Sequence, residues 1–415
     1  MTRKVRIVPE QILLSVFLIG TIFVNEDVLV FGTINNGVLI NFKNTFQVAI
    51  TLIMLFYCVG KKVYIPKSLA IIGIFFACNI FFTMILTRDI RPGYFFMVMI
   101  YLDCVLLLCI FSAEKIYEFV YKSVYLIALF SLIAYVVQLF IPSLLSMLPT
   151  IENTAGIDFY FAGLTNLAYR TDNLVRNWGP FREPGVFQAF IMIALYYGML
   201  IGKKAKLMHN LVLIVALLTT FSTTGYIALI FLFLASLVSK NNEVLEQRRM
   251  VKTIIAITSC MVLYLGMFTD LLYREGYGSV FGKLFGAYES LSMNSRIAGI
   301  EVNLRMMLES PLWGNGISYV DNNYALYCQS MYSMRIVDNT NMLFIQGARF
   351  GGLMFIYTFA RYFNGLKNIF CTTGIASFLL FLSYVCLLIS ENFSYSVIIS
   401  LPMFCIKSGI KKGVE

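Results

Sequence analysis

Two arginines and a glutamate stand together immediately before an apolar stretch of this 415-residue chain. The segment RNWGPFREPG contains Arg176, Arg182 and Glu183, and the apolar stretch begins at Pro184. Charged side chains at the edge of a membrane segment are costly to keep there, which indicates a function. A helix N-terminus attracts anions, and arginine binds phosphate or carboxylate through two parallel donors. The segment therefore predicts an anion-binding site.

Glu183 adds acid–base chemistry to this segment, because its carboxylate could accept a proton from an attacking hydroxyl group. Pro184 restricts the backbone of Glu183 to an extended conformation and suits the first turn of a helix. We therefore expect a helix to begin at Pro184. The competing interpretation is that Glu183 only caps this helix and pairs with Arg182, which leaves Arg176 unexplained. Asn177 is predicted to bind substrate beside these catalytic candidates.

A second candidate is Arg296, in the segment MNSRIAGIEVNLRMMLESPLWGNG. The apolar spacing predicts an amphipathic helix that begins one or two residues before Arg296 and ends before Pro311. Arg305 has Glu301 one turn before it and Glu309 one turn after it, which predicts structural ion pairs. Arg296 lacks such partners and stands at the predicted helix start, where a cation is disfavoured unless an anion binds. We therefore expect Arg296 to contact the substrate.

The segment DNTNMLFIQGARFGG supplies three further candidates. Asn339 and Asn341 are predicted to bind substrate by hydrogen bonds to sugar hydroxyl groups. Arg349 is predicted to lie inside one membrane span, and Asp103 inside another. Both charges would be costly alone in lipid, so we expect them to face the protein interior, where they could pair with each other. Substrate binding by Arg349 and a proton relay through the two residues are alternative roles.

The composition explains the setting of these residues. Hydrophobic residues make up 59% of the chain and charged residues only 13%, against about 25% in an average soluble domain. Long apolar runs with polar interruptions predict an all-α integral membrane protein, with residues 1–415 forming one domain. The nine cysteines form no CxxC pair, and there is a single histidine, so neither a metal site nor a cofactor is predicted.

The apolar runs predict about twelve transmembrane helices. The stretch 210–238 is too long for one span and contains a polar patch, so we divide it into two spans near Ser222–Gly225. The distribution of lysine places both termini in the cytoplasm and two large loops, residues 141–184 and 270–338, outside. The other predicted spans are 9–24, 44–60, 68–87, 94–112, 120–140, 185–202, 252–269, 339–360, 368–389 and 394–406.

Three of these segments resemble the superfamily of O-antigen polymerases and ligases. They are RNWGPFREPG, STTGY within the divided stretch, and SRIAGIEVNLRMMLESPLWGNG. The resemblance covers roughly residues 176–352, and it implies a GT-C-like glycosyltransferase at the outer face of the bacterial cytoplasmic membrane. On this resemblance Arg176, Arg182 and Arg296 correspond to family arginines that act on undecaprenyl-diphosphate-linked glycans. The resemblance implies membrane lipid, chain-length regulators and flippases as partners. It does not imply binding to nucleic acid.

The resemblance and the charges together favour a polymerase that joins repeat units of O-antigen or capsule without a metal ion. Arginines can compensate the charge of a leaving diphosphate, and neither external loop has a DxD-type acidic pair. Ligases of the superfamily have a histidine in the large external loop, whereas His209 of this chain belongs to a predicted cytoplasmic connection. A flippase or another transporter remains the alternative from a different class, although no internal repeat is visible.

Overall fold

A computed structural model of the chain describes residues 9–34, 36–154, 156–168, 175–201, 207–239, 291–333, 336 and 339–406. The helices before the first large loop are α1 (Pro9–Phe23), α2 (Leu29–Gly32), α3 (Gly37–Gly60), α4 (Lys67–Thr87), α5 (Pro92–Ile110) and α6 (Ala113–Phe140). The later helices are α7 (Pro184–Leu200), α8 (Leu207–Thr219), α9 (Thr223–Val238), α10 (Leu291–Glu309), α11 (Gly316–Tyr332), α12 (Met342–Phe370), α13 (Ile375–Ser390) and α14 (Val397–Ser400). A 3-10 turn, Leu401–Phe404, continues α14.

The described structure is mostly helical and has the character of a membrane-embedded protein. Five of its helices, α3, α4, α5, α6 and α12, are long and apolar enough to cross a membrane. Five shorter apolar helices accompany them: α1, α7, α8, α9 and α13. The predicted span 252–269 lies outside the described residues. The all-α prediction is thus confirmed in its main feature, while the number of twelve spans stays a prediction.

The first large loop departs from the all-helical expectation. After a 3-10 helix, Pro142–Met147, it forms a three-stranded antiparallel sheet of β1 (Thr150–Glu152), β2 (Asp158–Phe161) and β3 (Asn166–Ala168). The strands are three or four residues long, too short for a period-two pattern to be recognised in the sequence. The edge-to-face contact of Phe159 with Trp178, with ring centroids 4.7 Å apart, connects this sheet to the RNWGPFREPG segment.

Helix α7 is the hub of the helical assembly. All 17 of its residues, from Pro184 to Leu200, are buried. A helix that is apolar around its whole circumference is stable only when other elements surround it, and here α6, α8 and α9 pack against it. The N-terminal end of α7 therefore lies within the protein assembly, where neighbouring helices can bring side chains to it.

The stretch 210–238 forms two helices, as the sequence predicted. Helix α8 ends at Thr219 and α9 begins at Thr223, so the break comes slightly before the predicted Ser222–Gly225. Gly225 lies inside α9, where a Cβ atom would collide with Oε1 of Gln188 on α7. The glycine in STTGY thus serves helix packing, and the turn itself is formed by the residues before it.

The predicted last span, residues 394–406, is not a continuous helix. The chain runs from Glu391, whose carbonyl accepts a hydrogen bond from Met342 N at 3.3 Å, to Cys405, whose carbonyl accepts one from Asn368 at 3.3 Å. It therefore follows α12 almost from end to end, with only short helical turns on the way. Irregular backbone at membrane depth is tolerated when it is buried in protein, and Arg361 of α12 donates to the carbonyls of Met403 (2.7 Å) and Cys405 (3.1 Å).

The SPLWGNG segment sits at a break in α12. Gly351 there has a φ of +89°, which interrupts the helix, and Gly352 N donates to the carbonyl of Pro311 at 2.6 Å. Gly314, with a φ of +72°, leaves no room for a Cβ atom against the backbone of Arg349. Close backbone contact at these glycines seats the loop between α10 and α11 on α12. The segment thereby fixes the position of α10, the helix that carries Arg296.

Candidate active site

The four predicted catalytic residues lie in one electrostatic cluster at the N-terminal end of α7. The charge environment of Arg176 contains Glu183 and Arg296, and that of Arg296 contains Glu183. Arg182 interacts with Glu183 as well. A fifth charged residue, Glu391, interacts with all of them. Residues separated by more than 200 positions in the sequence thus form a single site.

Glu183 occupies the N-cap position of α7, directly before Pro184. Its backbone is extended, with φ of −150° and ψ of 152°, and the helix begins at Pro184 as the sequence predicted. The Glu183 side chain makes no capping hydrogen bond, and it is exposed. The interpretation that Glu183 only caps the helix is therefore not supported, and its carboxylate is accessible from solvent.

Arg176 is anchored on the turn between α8 and α9. Its Nε donates to the carbonyl of Thr220 at 2.8 Å, and its Nη2 donates to the carbonyl of Phe221 at 3.4 Å. The residues of STTGY follow this turn, so two of the segments that carry the family resemblance meet at Arg176. Burial lowers the pKa of Arg176, although Glu183 partly opposes this effect. Among the described residues, no hydrogen bond uses Nη1 of Arg176.

Arg182 makes its contacts within the protein. Its Nη2 lies 3.9 Å from Oε2 of Glu391 and donates to the carbonyl of Asn392 at 3.1 Å, while its backbone N donates to the carbonyl of Asp27 at 2.9 Å. Burial acts against the charged form, but Glu391 and Asp27 outweigh it and raise the pKa of Arg182. The sequence could not separate Arg182 from the other arginines, whereas its contacts give it the role of holding Glu391.

Arg296 differs from its prediction in one respect. Helix α10 begins at Leu291, so Arg296 stands in the second turn and not at the helix start. The argument from the helix dipole therefore does not apply to it. Burial lowers the pKa of Arg296, and Glu391 and Glu183 only partly compensate. Within the described part of the chain no hydrogen bond engages its guanidinium, so an anion in the cluster would find Arg176 and Arg296 available.

Glu391 is the site residue that the sequence reasoning missed. It follows the last residue of α13, is only 4% exposed, and interacts with the Glu183 carboxyl group. A Cβ atom on Gly185 would collide with its Oε1, so this carboxyl group lies against the first turn of α7. One signal was present: the predicted topology puts the short connection containing Glu391 on the same side as both large loops.

A second helix N-terminus also faces the cluster. Met342, the first residue of α12, donates its backbone N–H to the carbonyl of Glu391 at 3.3 Å. Asn341 caps this helix by accepting a hydrogen bond from Phe344 N at 3.3 Å. The positive ends of α7 and α12 therefore add to the arginine charges in attracting an anion.

The three asparagines predicted to bind substrate have structural partners. Asn177 is fully buried and donates to Ser131 (3.2 Å) and Thr219 (3.1 Å). Asn339 forms a reciprocal pair with Asn303 of α10, with N–O distances of 2.8 and 3.0 Å. Asn341 is also fully buried. The amides of Asn177 and Asn339 connect neighbouring elements, whereas that of Asn341 caps its own helix. The structure therefore does not place Asn177 or Asn341 on the accessible surface of the cluster.

Arg349 lies apart from the cluster, and its predicted pairing with Asp103 is wrong. Its Nη2 contacts Oδ1 of Asp321 on α11 at 2.6 Å, while Asp103 accepts a hydrogen bond from Gln47 of α3. The partner of each residue lies on a neighbouring helix, and the spacing of residues along the sequence does not show which helices are neighbours. Arg349 stays buried at 6% exposure, as expected for a charge in a membrane protein.

The ion pairs predicted for Arg305 are likewise not found among the described residues. Its guanidinium lies over the ring of Tyr327, 5.7 Å from the ring centroid. Glu309 accepts hydrogen bonds from the hydroxyls of Tyr327 (2.5 Å) and Tyr319 (3.2 Å). Tyrosines of α11 thus take the place of Arg305 as partners of Glu309. Arg305 instead contacts the ring of Tyr327 on an exposed aromatic surface.

The fold and the cluster define a helical membrane-embedded protein in which arginines and carboxyl groups meet at the N-terminal ends of two helices. In the described part of the chain, no three His, Cys, Asp or Glu side chains come together as metal ligands. No protein-family model matches the chain, and comparison with curated proteins gives no match. The functional argument therefore depends on the cluster itself.

Proposed function

We propose that this protein is a bacterial surface-polysaccharide polymerase of the cytoplasmic membrane. It joins undecaprenyl-diphosphate-linked oligosaccharide repeat units, of O-antigen or capsule, at the outer face of that membrane. The chain crosses the membrane about twelve times, keeps both termini in the cytoplasm and has a GT-C-like architecture. The large loops 141–184 and 270–338 then lie on the side where the repeat units arrive.

The observation that carries the proposal is the meeting of Arg176, Glu183 and Arg296 in one cluster. Arg176 and Glu183 come from RNWGPFREPG and Arg296 from SRIAGIEVNLRMMLESPLWGNG. STTGY, the third segment that suggested a glycosyltransferase, directly follows the turn whose carbonyls Arg176 contacts. A cluster of this kind combines what glycosyl transfer from a diphosphate requires: cations for the leaving group and a carboxylate for the proton.

Arg176 and Arg296 bind the diphosphate of the donor, since their charges lack full compensation inside the protein. The N-terminal ends of α7 and α12 add favourable electrostatic potential at the same place. Arginine keeps its charge under these conditions and binds phosphate in a planar, bidentate way. The prenyl tail of the donor remains in the bilayer, which explains a site at the end of apolar helices.

Glu183 acts as the general base. A hydroxyl group of the acceptor sugar attacks the anomeric carbon of the donor glycan, and its proton passes to the Glu183 carboxylate. A new glycosidic C–O bond forms, and the bond from the anomeric carbon to the phosphate oxygen breaks. The undecaprenyl diphosphate departs with that electron pair, and the arginines stabilise its growing negative charge.

A ligase and a flippase are the rival functions. The ligase is less favoured because the sole histidine, His209, is on α8, where its ring stacks on Tyr125 at 3.9 Å between centroids. The flippase is less favoured because Asp103 and Arg349, which could together have lined a charged path through the membrane, have separate partners. The polymerase also gives a use to each of Arg176, Arg296 and Glu183.

The test is the length of the lipid-linked glycans that the purified protein makes in proteoliposomes from undecaprenyl-diphosphate-linked repeat units. We expect a ladder of products that differ by one repeat unit. In cells lacking the protein we expect single repeat units at the outer face. Trapping of those units at the cytoplasmic face would favour the flippase, and accumulation of long unattached polymer would favour the ligase.

Metal independence gives a second expected result. Because the arginines and the helix ends compensate the diphosphate charge, ladder formation should continue at an unchanged rate in the presence of EDTA. The measurement is the initial rate of polymer formation with EDTA, compared with EDTA plus excess Mg²⁺. A loss of activity that Mg²⁺ restores would contradict the arginine-based mechanism and leave the residue cluster in need of another explanation.

A further inference from the structure

Glu391 is a buried carboxyl group that the proposed chemistry does not use. It is 4% exposed, its Oε1 lies against Gly185, and its Oε2 lies 3.9 Å from Nη2 of Arg182, so its carboxyl group is next to Glu183 and within reach of a hydrogen bond to it. Ser390, the last residue of α13, directly precedes Glu391, and the backbone carbonyl of Glu391 accepts a hydrogen bond from the backbone N–H of Met342. Two helix ends and a glycine thus hold Glu391 in a single position.

A hydrogen bond between two carboxyl groups requires one proton, because ionised carboxylates are acceptors only. Glu183 is exposed and Glu391 is buried, so water stabilises the charge of Glu183 but not that of Glu391. Burial, together with the negative charge of Glu183, raises the pKa of Glu391 well above its usual range, although Arg182 and Arg296 oppose this shift. The shared proton therefore resides on Glu391.

We propose that Glu391 is a positioning residue, which in its protonated form donates a hydrogen bond to Glu183 and holds the Glu183 carboxylate toward the acceptor hydroxyl. This inference rests on the proposed function, in which Glu183 is the base. The hydrogen bond occupies one lone pair of Glu183 and leaves others for the acceptor. Glu391 itself touches neither substrate, and it acts only through Glu183.

The neutral state of Glu391 also keeps the cluster suited to a diphosphate. With Glu391 neutral, the two positive charges of Arg176 and Arg296 remain for the ligand, since burial is only partly offset at both arginines. Ionisation of Glu391 would remove one of these and place two carboxylates in contact. Their repulsion would turn Glu183 away from the acceptor.

The pH dependence follows from the groups that face Glu391. These are Glu183 and Arg182 from the segment before α7, Arg296 from α10, and Arg176 at longer range. The arginines keep their charge, so Glu391 is the group of this set that loses a proton as the pH rises. The raised pKa keeps Glu391 protonated to a higher pH than an ordinary glutamate, and the carboxyl group ionises as the pH rises through that pKa. Activity should therefore fall as the pH rises.

The experiment compares pH–rate profiles of wild type, Glu391→Gln, Glu391→Ala and the surface control Glu118→Gln in the proteoliposome assay. Glutamine keeps a donor but cannot ionise, so we expect Glu391→Gln to retain most activity and to lose the alkaline decline. Alanine provides no donor, and kcat should fall by about 10²-fold with little change in KM. An alkaline decline that persists unchanged in Glu391→Gln would overturn the proposal, as would full activity of Glu391→Ala.

A spectroscopic readout separates this inference from the proposed function. The infrared spectrum of the substrate-free wild type at neutral pH should contain a protonated-carboxyl band that is missing in Glu391→Gln and present in Glu118→Gln. The band tests the carboxyl pair even if the wild type makes no polymer, an outcome that would reject only the polymerase function. Absence of the band in the wild type would reject the proton on Glu391.

Discussion

Replacing Arg296 with alanine should lower the rate of polymer formation by about 10²–10³-fold, the effect expected when one donor to a developing negative charge is lost. Burial lowers the pKa of Arg296, and no hydrogen bond from the described residues engages its guanidinium. Its charge is therefore available to a diphosphate. The measurement is the initial rate of ladder formation from lipid-linked repeat units by the purified variant in proteoliposomes.

The matched control is Arg305→Ala, which removes an arginine from the same helix, α10. Arg305 lies over the ring of Tyr327 and has no place in the cluster, so this variant should polymerise at close to the wild-type rate. Lysine at position 296 should restore only part of the activity, since it keeps the charge but not the planar pair of donors. Equal rates for Arg296→Ala and Arg305→Ala would exclude Arg296 from the reaction.

Replacing Gly365 with alanine should prevent normal packing of the irregular segment from Glu391 to Cys405. A Cβ atom at this position of α12 would collide with the backbone carbonyl of Pro402, and backbone cannot yield as a flexible side chain can. The segment would have to move away from Arg361, which donates to the carbonyls of Met403 and Cys405. Overpacking and broken hydrogen bonds together should cost about 3 kcal/mol or more of unfolding free energy.

The measurement for this variant is the thermal unfolding midpoint and the yield of monodisperse protein in detergent. Gly60→Ala is the matched control. Gly60 is also a helical glycine, the last residue of α3, and a Cβ atom there meets nothing within 4 Å. Alanine in a helix is ordinarily favoured over glycine, so the control should be as stable as the wild type or slightly more stable. An unfolding midpoint for Gly365→Ala equal to that of the control would refute the close contact with Pro402.

Local sequence features were sufficient for several parts of the fold. Proline at position 184 determined both the start of α7 and the extended backbone of Glu183. The excess length of the stretch 210–238 predicted its division into α8 and α9. These predictions held because each depends on backbone geometry or helix length, which a few neighbouring residues fix.

Features that depend on contacts between different helices were predicted poorly. Arg349 was assigned to Asp103 because both are charges inside apolar runs, yet Asp321 of α11 is its partner. The final span was taken for a helix because it is apolar, whereas Arg361 and Asn368 of α12 allow it to be irregular by satisfying its carbonyls. In both cases the competing partner lies on another helix, and a single sequence gives no measure of such distances.

By itself, the sequence determined that the chain is apolar enough for a membrane, that α7 begins at Pro184, and that Arg176, Arg182, Glu183 and Arg296 are the residues to consider. Only the tertiary structure distinguished Arg182, which contacts Glu391, from Arg296 and Nη1 of Arg176, which no hydrogen bond of the described residues engages. It alone brought Glu391 to Glu183. The physical reason is that the state of a buried charge depends on the dielectric and the counter-charges around it, and distant parts of the chain supply both.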